Sequence, residues 1–155
     1  MRPVLLALLC PLLILPANAR LGETEAQCVV RYGPVLDRAT SQEAGIALPL
    51  LSFTKNGYMF DATMLKGKVA HLVIQKADSA EFSDNEVAIF LTSNSAGQKW
   101  TEQVDTPTKP RWLRDDGSEA EYDRLHHWIT LSSKDYLVAK EAAKRNEESQ
   151  KTQGF

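Results

Sequence analysis

The stretch Leu50–Gln75, LLSFTKNGYMFDATMLKGKVAHLVIQ, decides the fold. It reads as three strands joined by two tight turns. Leu50 to Lys55 is strand-like and runs into Asn56-Gly57, the favoured pair for a two-residue hairpin because both central positions need positive φ. From Tyr58 to Leu65, Tyr58, Phe60, Ala62 and Met64 alternate with Met59, Asp61, Thr63 and Leu65, the period of a strand with two unlike faces. Lys66-Gly67 turns the chain again, and Val69 to Gln75 supplies the third strand. The result is an antiparallel meander. Pro49 stands at the mouth of its first strand and lacks an N–H, so that strand is expected near an edge.

Upstream, Glu23 to Tyr32 reads as a helix that Gly33-Pro34 stops, since glycine permits a left-handed cap and proline cannot continue the ladder. Asp37 to Gly45 is expected to be a polar connector. Downstream, Ser83-Asp84-Asn85-Glu86 is a capping box that opens a helix to Asn94, with Val87, Phe90 and Leu91 as its apolar stripe. After a link containing Pro107 and Pro110, Arg111–Arg114 and Glu119–Asp123 flank Asp116-Gly117, a second hairpin signal. His127 to Leu131 adds a further strand. Ser133 to Glu148 is rich in Ala, Lys and Glu and should be helical, fraying toward Gly154-Phe155. The expectation is an α+β fold: an antiparallel sheet of five or six strands, packed by two helices and followed by a C-terminal helix. Residues 20–140 form one domain, and 141–155 a polar, partly helical tail.

The first nineteen residues have a different character. Met1-Arg2 is a short basic start, Val4 to Leu15 is almost wholly apolar, and Ala17-Asn18-Ala19 is a small-x-small site. That order is the pattern of a secretory signal peptide, and the apolar run is too short to span a bilayer. Cleavage after Ala19 removes 19 of 155 residues, leaving 136, and moves the net charge from −2 to −3 with the loss of Arg2. A mildly acidic chain lacks the basic excess that nucleic acid or an anionic membrane would demand. No later run reaches spanning length. The expected setting is secreted or periplasmic. Cys10 leaves with the leader, and Cys28 remains alone; with Leu21, Val29 and Tyr32 it falls on one helix face, which marks it as a small core residue.

Leu21-Gly22-Glu23-Thr24, a short helix, Tyr32-Gly33-Pro34 and the meander together resemble the opening of small envelope modules of the SmpA/OmlA (BamE-like) type, over about Leu21 to Gln75. The chain differs from them in having one opening helix, no lipobox and a long continuation. As a whole, with its Trp100 segment, its Trp112…Asp116-Gly117 hairpin and its terminal Gly-Phe, it resembles small exported proteins of unknown function from verrucomicrobial-type bacteria. These resemblances imply an envelope or secreted setting and no particular activity.

Candidate chemistry is sparse. His126-His127, read as strand residues, point to opposite faces and do not easily share an ion; His71 with one of them and a carboxylate makes a site in principle that nothing in the spacing selects, and Cys28 with a distant histidine is a cysteine-hydrolase sketch that its place on the helix face disfavours. No serine sits in a G-x-S-x-G elbow. Asp115-Asp116-Gly117-Ser118-Glu119 has the flavour of a calcium loop without its full acidic pattern, and reads more simply as a turn. Asp78, Glu81, Asp84 and Glu86 suit a helix N-terminus. No phosphate loop, dinucleotide fingerprint or other cofactor motif is present, so no catalytic, cofactor or metal residues are assigned. The lead is aromatic: Trp100, Trp112, Tyr122 and Trp128 gather in the second half, and tryptophan and tyrosine favour interfaces. The expected function is an exported non-catalytic module that binds an envelope protein or peptide through Trp112, Tyr122 and Trp128. The alternatives are a small-ligand or metal carrier, or a small hydrolase with an unrecognised site.

Overall fold

The computed structural model describes residues 20–42, 45–103 and 107–152, so the signal peptide expected over residues 1–19 lies outside the described residues. The elements in chain order are α1 (Glu25–Tyr32), β1 (Asp37–Ser41), β2 (Leu48–Lys55), β3 (Tyr58–Leu65) and β4 (Lys68–Lys76). Then follow α2 (Asp84–Ser93), β5 (Trp100–Gln103), β6 (Arg111–Arg114), β7 (Glu119–Asp123), β8 (Trp128–Ser132) and α3 (Lys134–Thr152). The eight strands form one sheet in the order β1-β2-β3-β4-β8-β7-β6-β5, antiparallel throughout. Two four-stranded meanders therefore meet at β4 and β8, and α2 carries the chain from the sheet centre to the far edge. The fold is α+β, with the antiparallel sheet that the turn chemistry implies. Among the described residues, no helix is long and apolar enough to cross a membrane.

The turns form as their residues demand: Asn56 and Gly57 have φ of 53° and 81°, and Lys66 and Gly67 of 52° and 76°, the paired positive values of a two-residue hairpin. Two strands exceed the expected five or six. Asp37–Ser41, expected as part of a connector, pairs with β2, and Trp100–Gln103 pairs with β6. Both are sheet edges, short and mostly exposed, so they carry no apolar alternation. β2, the strand of Pro49, lies near the edge as expected, one strand in from it. Pro49 lies opposite Thr40 of β1, and β3 starts to pair with β2 only at Leu50, so proline's missing N–H costs no bond on that side.

One face of the sheet carries the main core. Phe53, Phe60, Leu72, Ile74, Tyr122, Ile129 and Leu131 bury against Cys28 and Tyr32 of α1 and Val87, Phe90 and Leu91 of α2. Thr24 caps α1 in a reciprocal box with Gln27, so the helix starts two residues later than Glu23. Gly22 and Glu23 instead exchange main-chain bonds with Val69, extending the start of β4. On the other face, Tyr136 of α3 buries beside Ala70, Ile46, Leu48 and Leu65. A register shift at Thr63/Met64 makes this possible. It sends Val69 and Leu72 to the main core while Ala70 and His71 turn toward α3, as a bulge places neighbouring residues out of strict alternation. Beyond its first turns α3 is largely exposed and runs past Glu148 to Thr152, with Glu147 and Lys151 bonded at 2.6 Å.

Candidate functional site

Register separates the aromatics singled out from sequence. Trp112 pairs with Ala120, and Ala120 with Leu131, so Trp112 lies on the helix-covered face. Tyr122 pairs with Ile129 on that same face. Trp128 pairs with Asp123 and Gln75 and projects from the opposite face. Side chains opposite one another share a face and those adjacent alternate, so the three aromatics do not form one binding surface.

Tyr122 is wholly buried. Its hydroxyl accepts from the Phe82 N–H at 3.0 Å, its ring meets Phe82 edge-on at 5.7 Å, and the Arg124 guanidinium lies 5.1 Å from its centre. Burial pushes its phenol above the ordinary value. Expected to contact a partner, Tyr122 is instead wholly buried and lines the groove in which Trp112 stands. Trp112 itself is half-buried. It stands in a groove of about 380 Å³ between α2 and the β5–β6 hairpin, with Val87, Ala88, Leu91 and Pro110 as apolar walls and Asp84, Glu102 and Arg124 at the rim. Trp100, two residues from Glu102 on β5, donates its indole N–H to Leu91 O at 2.8 Å, with the Arg114 guanidinium 5.3 Å from its ring.

Arg114 holds this corner together. Buried, it donates to the Asn94 carbonyl, to both Asp116 oxygens at 3.0 and 2.6 Å, and to Ser118 Oγ at 3.0 Å. The guanidinium holds the Asp116 carboxyl well below the usual range. Asp116 also accepts from Ser118 N at 2.9 Å, the geometry of a turn. The acidic run that resembled a calcium loop thus has a structural role, with Arg114 as its cation. Of the other acids, Glu86 completes the α2 capping box, while Glu81 and Asp84 each meet Arg124 at 3.3 Å.

On the opposite face, a cleft of about 490 Å³ lies between α3 and strands β8, β7 and β6. Trp128, Thr130, Ser132, Val73 and Gln75 line it with Lys109, Arg111, Glu119, Glu121 and Asp123. The charges are interlocked, Lys109 with Asp123 at 2.8 Å and Arg111 with Glu119 at 2.9 Å. The Lys109 ammonium, aided by the His126 ring and loop N–H groups, holds the buried Asp123 carboxyl far below its ordinary range.

The histidines are placed differently from expectation. β8 begins at Trp128, so His126 and His127 lie in the β7–β8 loop rather than on a strand, with His127 at φ 57°. His126 Nδ1 meets Asp123 at 2.9 Å and its ring stacks on Trp128 at 4.7 Å, whereas His127 Nδ1 donates to Ser79 O at 2.8 Å. His71 is buried, its Nδ1 2.8 Å from Ser132 Oγ and its ring stacked on Tyr136 at 4.7 Å. His71 pairs with Ser132 and Gln75 with Trp128, four residues apart, which separates His71 from the Trp128 end by about 13 Å. Among the described residues, no three His, Cys, Asp or Glu side chains gather to hold a metal ion. Cys28 lies in the core, where burial pushes its thiol up to about 11.

The arrangement defines an α+β module with a helix-lined groove on one sheet face and an open polar cleft on the other. Comparison with protein-family models, with curated proteins and with solved structures found no match. Sequence reasoning missed the groove's walls and Glu102. Val87 and Leu91 carried a core signal only, and Glu102 belongs to an edge strand without one.

Proposed function

We propose that this chain is an exported, non-catalytic module that binds a protein or peptide partner of the bacterial envelope through the Trp112 groove. One observation carries the reading: a half-buried tryptophan stands with the buried Tyr122 in a groove with apolar walls and a charged rim, beside the last strand of the sheet. Buried aromatic anchors in small desolvated pockets are where partner binding energy concentrates. Residues Met1 to Ala19 support export, and the SmpA/OmlA-like opening supports an envelope setting. The test is in-cell cross-linking of the tagged protein, followed by mass spectrometry. Wild type recovers one envelope protein reproducibly, Trp112→Ala loses it, and Trp128→Ala, altered on the other face, keeps it. Recovery indifferent to Trp112→Ala refutes the reading.

A second reading, a small-ligand carrier, has its own support in the open-face cleft, whose volume suits a small molecule. A ligand there raises the melting temperature of wild type and not of Trp128→Ala, since it binds only the native state.

A further inference from the structure

We infer that the partner binds as an added strand on the outer edge of β5, carrying a basic side chain opposite Glu102 and an apolar one that meets the Trp112 groove. This rests on the partner-binding reading and adds the mode and chemistry of binding. β5 ends the sheet, and among the described residues no strand pairs with its outer side. Across β5 and β6, the Asp115 N–H donates to Lys99 O at 3.3 Å. Bonded positions in an antiparallel pair alternate. Thr101 and Gln103 therefore direct their main chains at β6, while Trp100 and Glu102 turn their N–H and C=O groups to the free edge.

The side chains on that edge lead to the groove. Glu102 pairs with Trp112, so a strand added beside it places every second side chain on the groove's own face. Such a strand lies about 5 Å beyond β5, whose Glu102 itself lines the groove, so a leucine or phenylalanine on that face meets the groove at its outer rim. Trp100, fixed by its bond to Leu91, stands two residues from Glu102 on the same face of β5. Main-chain bonds along the edge then supply affinity and the groove supplies selectivity. β5 has only four residues, so side chains carry much of the recognition.

Charge selects the basic residue. Glu102 is exposed and has no ion-pair partner among the described residues. Across the groove, Arg124 stands between Glu81 and Asp84, so the rim retains an excess of negative charge. An acidic segment is repelled, and a lysine or arginine directly opposite Glu102 is favoured.

The test uses four synthetic peptides, acetyl-Thr-X-Thr-Z-Thr-amide, with X lysine or arginine and Z leucine or phenylalanine. Each is titrated into the 15N-labelled protein at low salt. For at least one peptide the Trp100 and Glu102 amides shift and gain protection from hydrogen exchange, while those of Thr101 and Gln103, already paired, do not. Glu102→Gln weakens binding by about threefold, the scale of an exposed ion pair, and flattens its salt dependence. Glu102→Pro removes an outward N–H that the fold does not use, which an edge tolerates, and weakens binding tenfold or more. Edge amides that stay unmoved while the Trp112 indole responds, or Glu102→Pro binding as well as Glu102→Gln, overturn strand addition and leave the groove as a partner site. No response to any of the four peptides also overturns it. The cross-linking of Trp112→Ala judges the partner reading separately.

Discussion

Glu86 ties three elements into one knot, and removing its charge should cost stability in a way that fades with acid. Its Oε1 accepts from Tyr58 Oη of β3 at 2.6 Å and from Lys76 Nζ of β4 at 2.9 Å. Its Oε2 accepts from the Ser83 N–H and hydroxyl, both at 2.8 Å, closing the α2 capping box. Burial pushes the carboxyl up, but the bonds from Tyr58, Ser83 and Lys76 outweigh it and hold the group at about 2. Tyr58 shows the same bond from the other side, its phenol pushed up to about 12. A carboxyl held below its ordinary 4.5 stabilises the fold above that pH, and the contribution is lost as pH falls through about 2. The difference corresponds to about 3 kcal/mol at neutral pH, shared among the four donors. Glu86→Gln is therefore expected to destabilise by about 2 to 3 kcal/mol at pH 7, with a penalty that shrinks steadily below pH 4.5. Tyr58→Phe, which removes one donor, should cost about 1.5 kcal/mol at pH 7. The assay is urea unfolding followed by tryptophan fluorescence from pH 7 to pH 2.5. A Glu86→Gln penalty that stays constant across this range refutes the reasoning, because the charge would then contribute nothing.

Arg114→Met removes the buried guanidinium's bonds to the Asn94 carbonyl, Ser118 and the exposed Asp116 carboxylate, and should cost about 2 to 3 kcal/mol in denaturant unfolding, the scale of lost hydrogen bonds to a charged group. Tyr122→Phe orphans the buried Phe82 N–H and should cost about 1 to 3 kcal/mol, yet cross-linking to the partner persists because the ring still lines the groove. Cys28 should react with a thiol reagent only at the rate of unfolding, measured as labelling that rises with urea; fast labelling of the native protein contradicts its burial. Tyr136→Ala should cost about 3 to 5 kcal/mol and free α3 from the sheet, seen as faster hydrogen exchange along the helix.

Much of this fold is local chemistry and was legible as such. Asn56-Gly57 and Lys66-Gly67 need positive φ at both positions, and Asp116-Gly117 needs it at the glycine; each turn falls where those residues stand. The box at Ser83 with Glu86 closes within three residues and marks the start of α2 in the chain, whereas the equally local box at Thr24 with Gln27 goes unread and the first helix is expected from Glu23. The alternation from Tyr58 to Leu65 selects a strand because period two buries one face. Edges are another matter: Asp37–Ser41 and Trp100–Gln103 become strands only because β2 and β6 offer them partners, and an exposed strand has no buried face to mark it. The candidate site depends on the same distinction. Tryptophans 112 and 128 look equivalent along the chain, but the register between β6, β7 and β8 sends one into a groove beneath α2 and the other onto the open face. The residues alone determined the turns, caps and apolar periods, because those interactions span a few positions. Tertiary pairing decided which side chains meet, because a face is shared between strands and belongs to none of them alone.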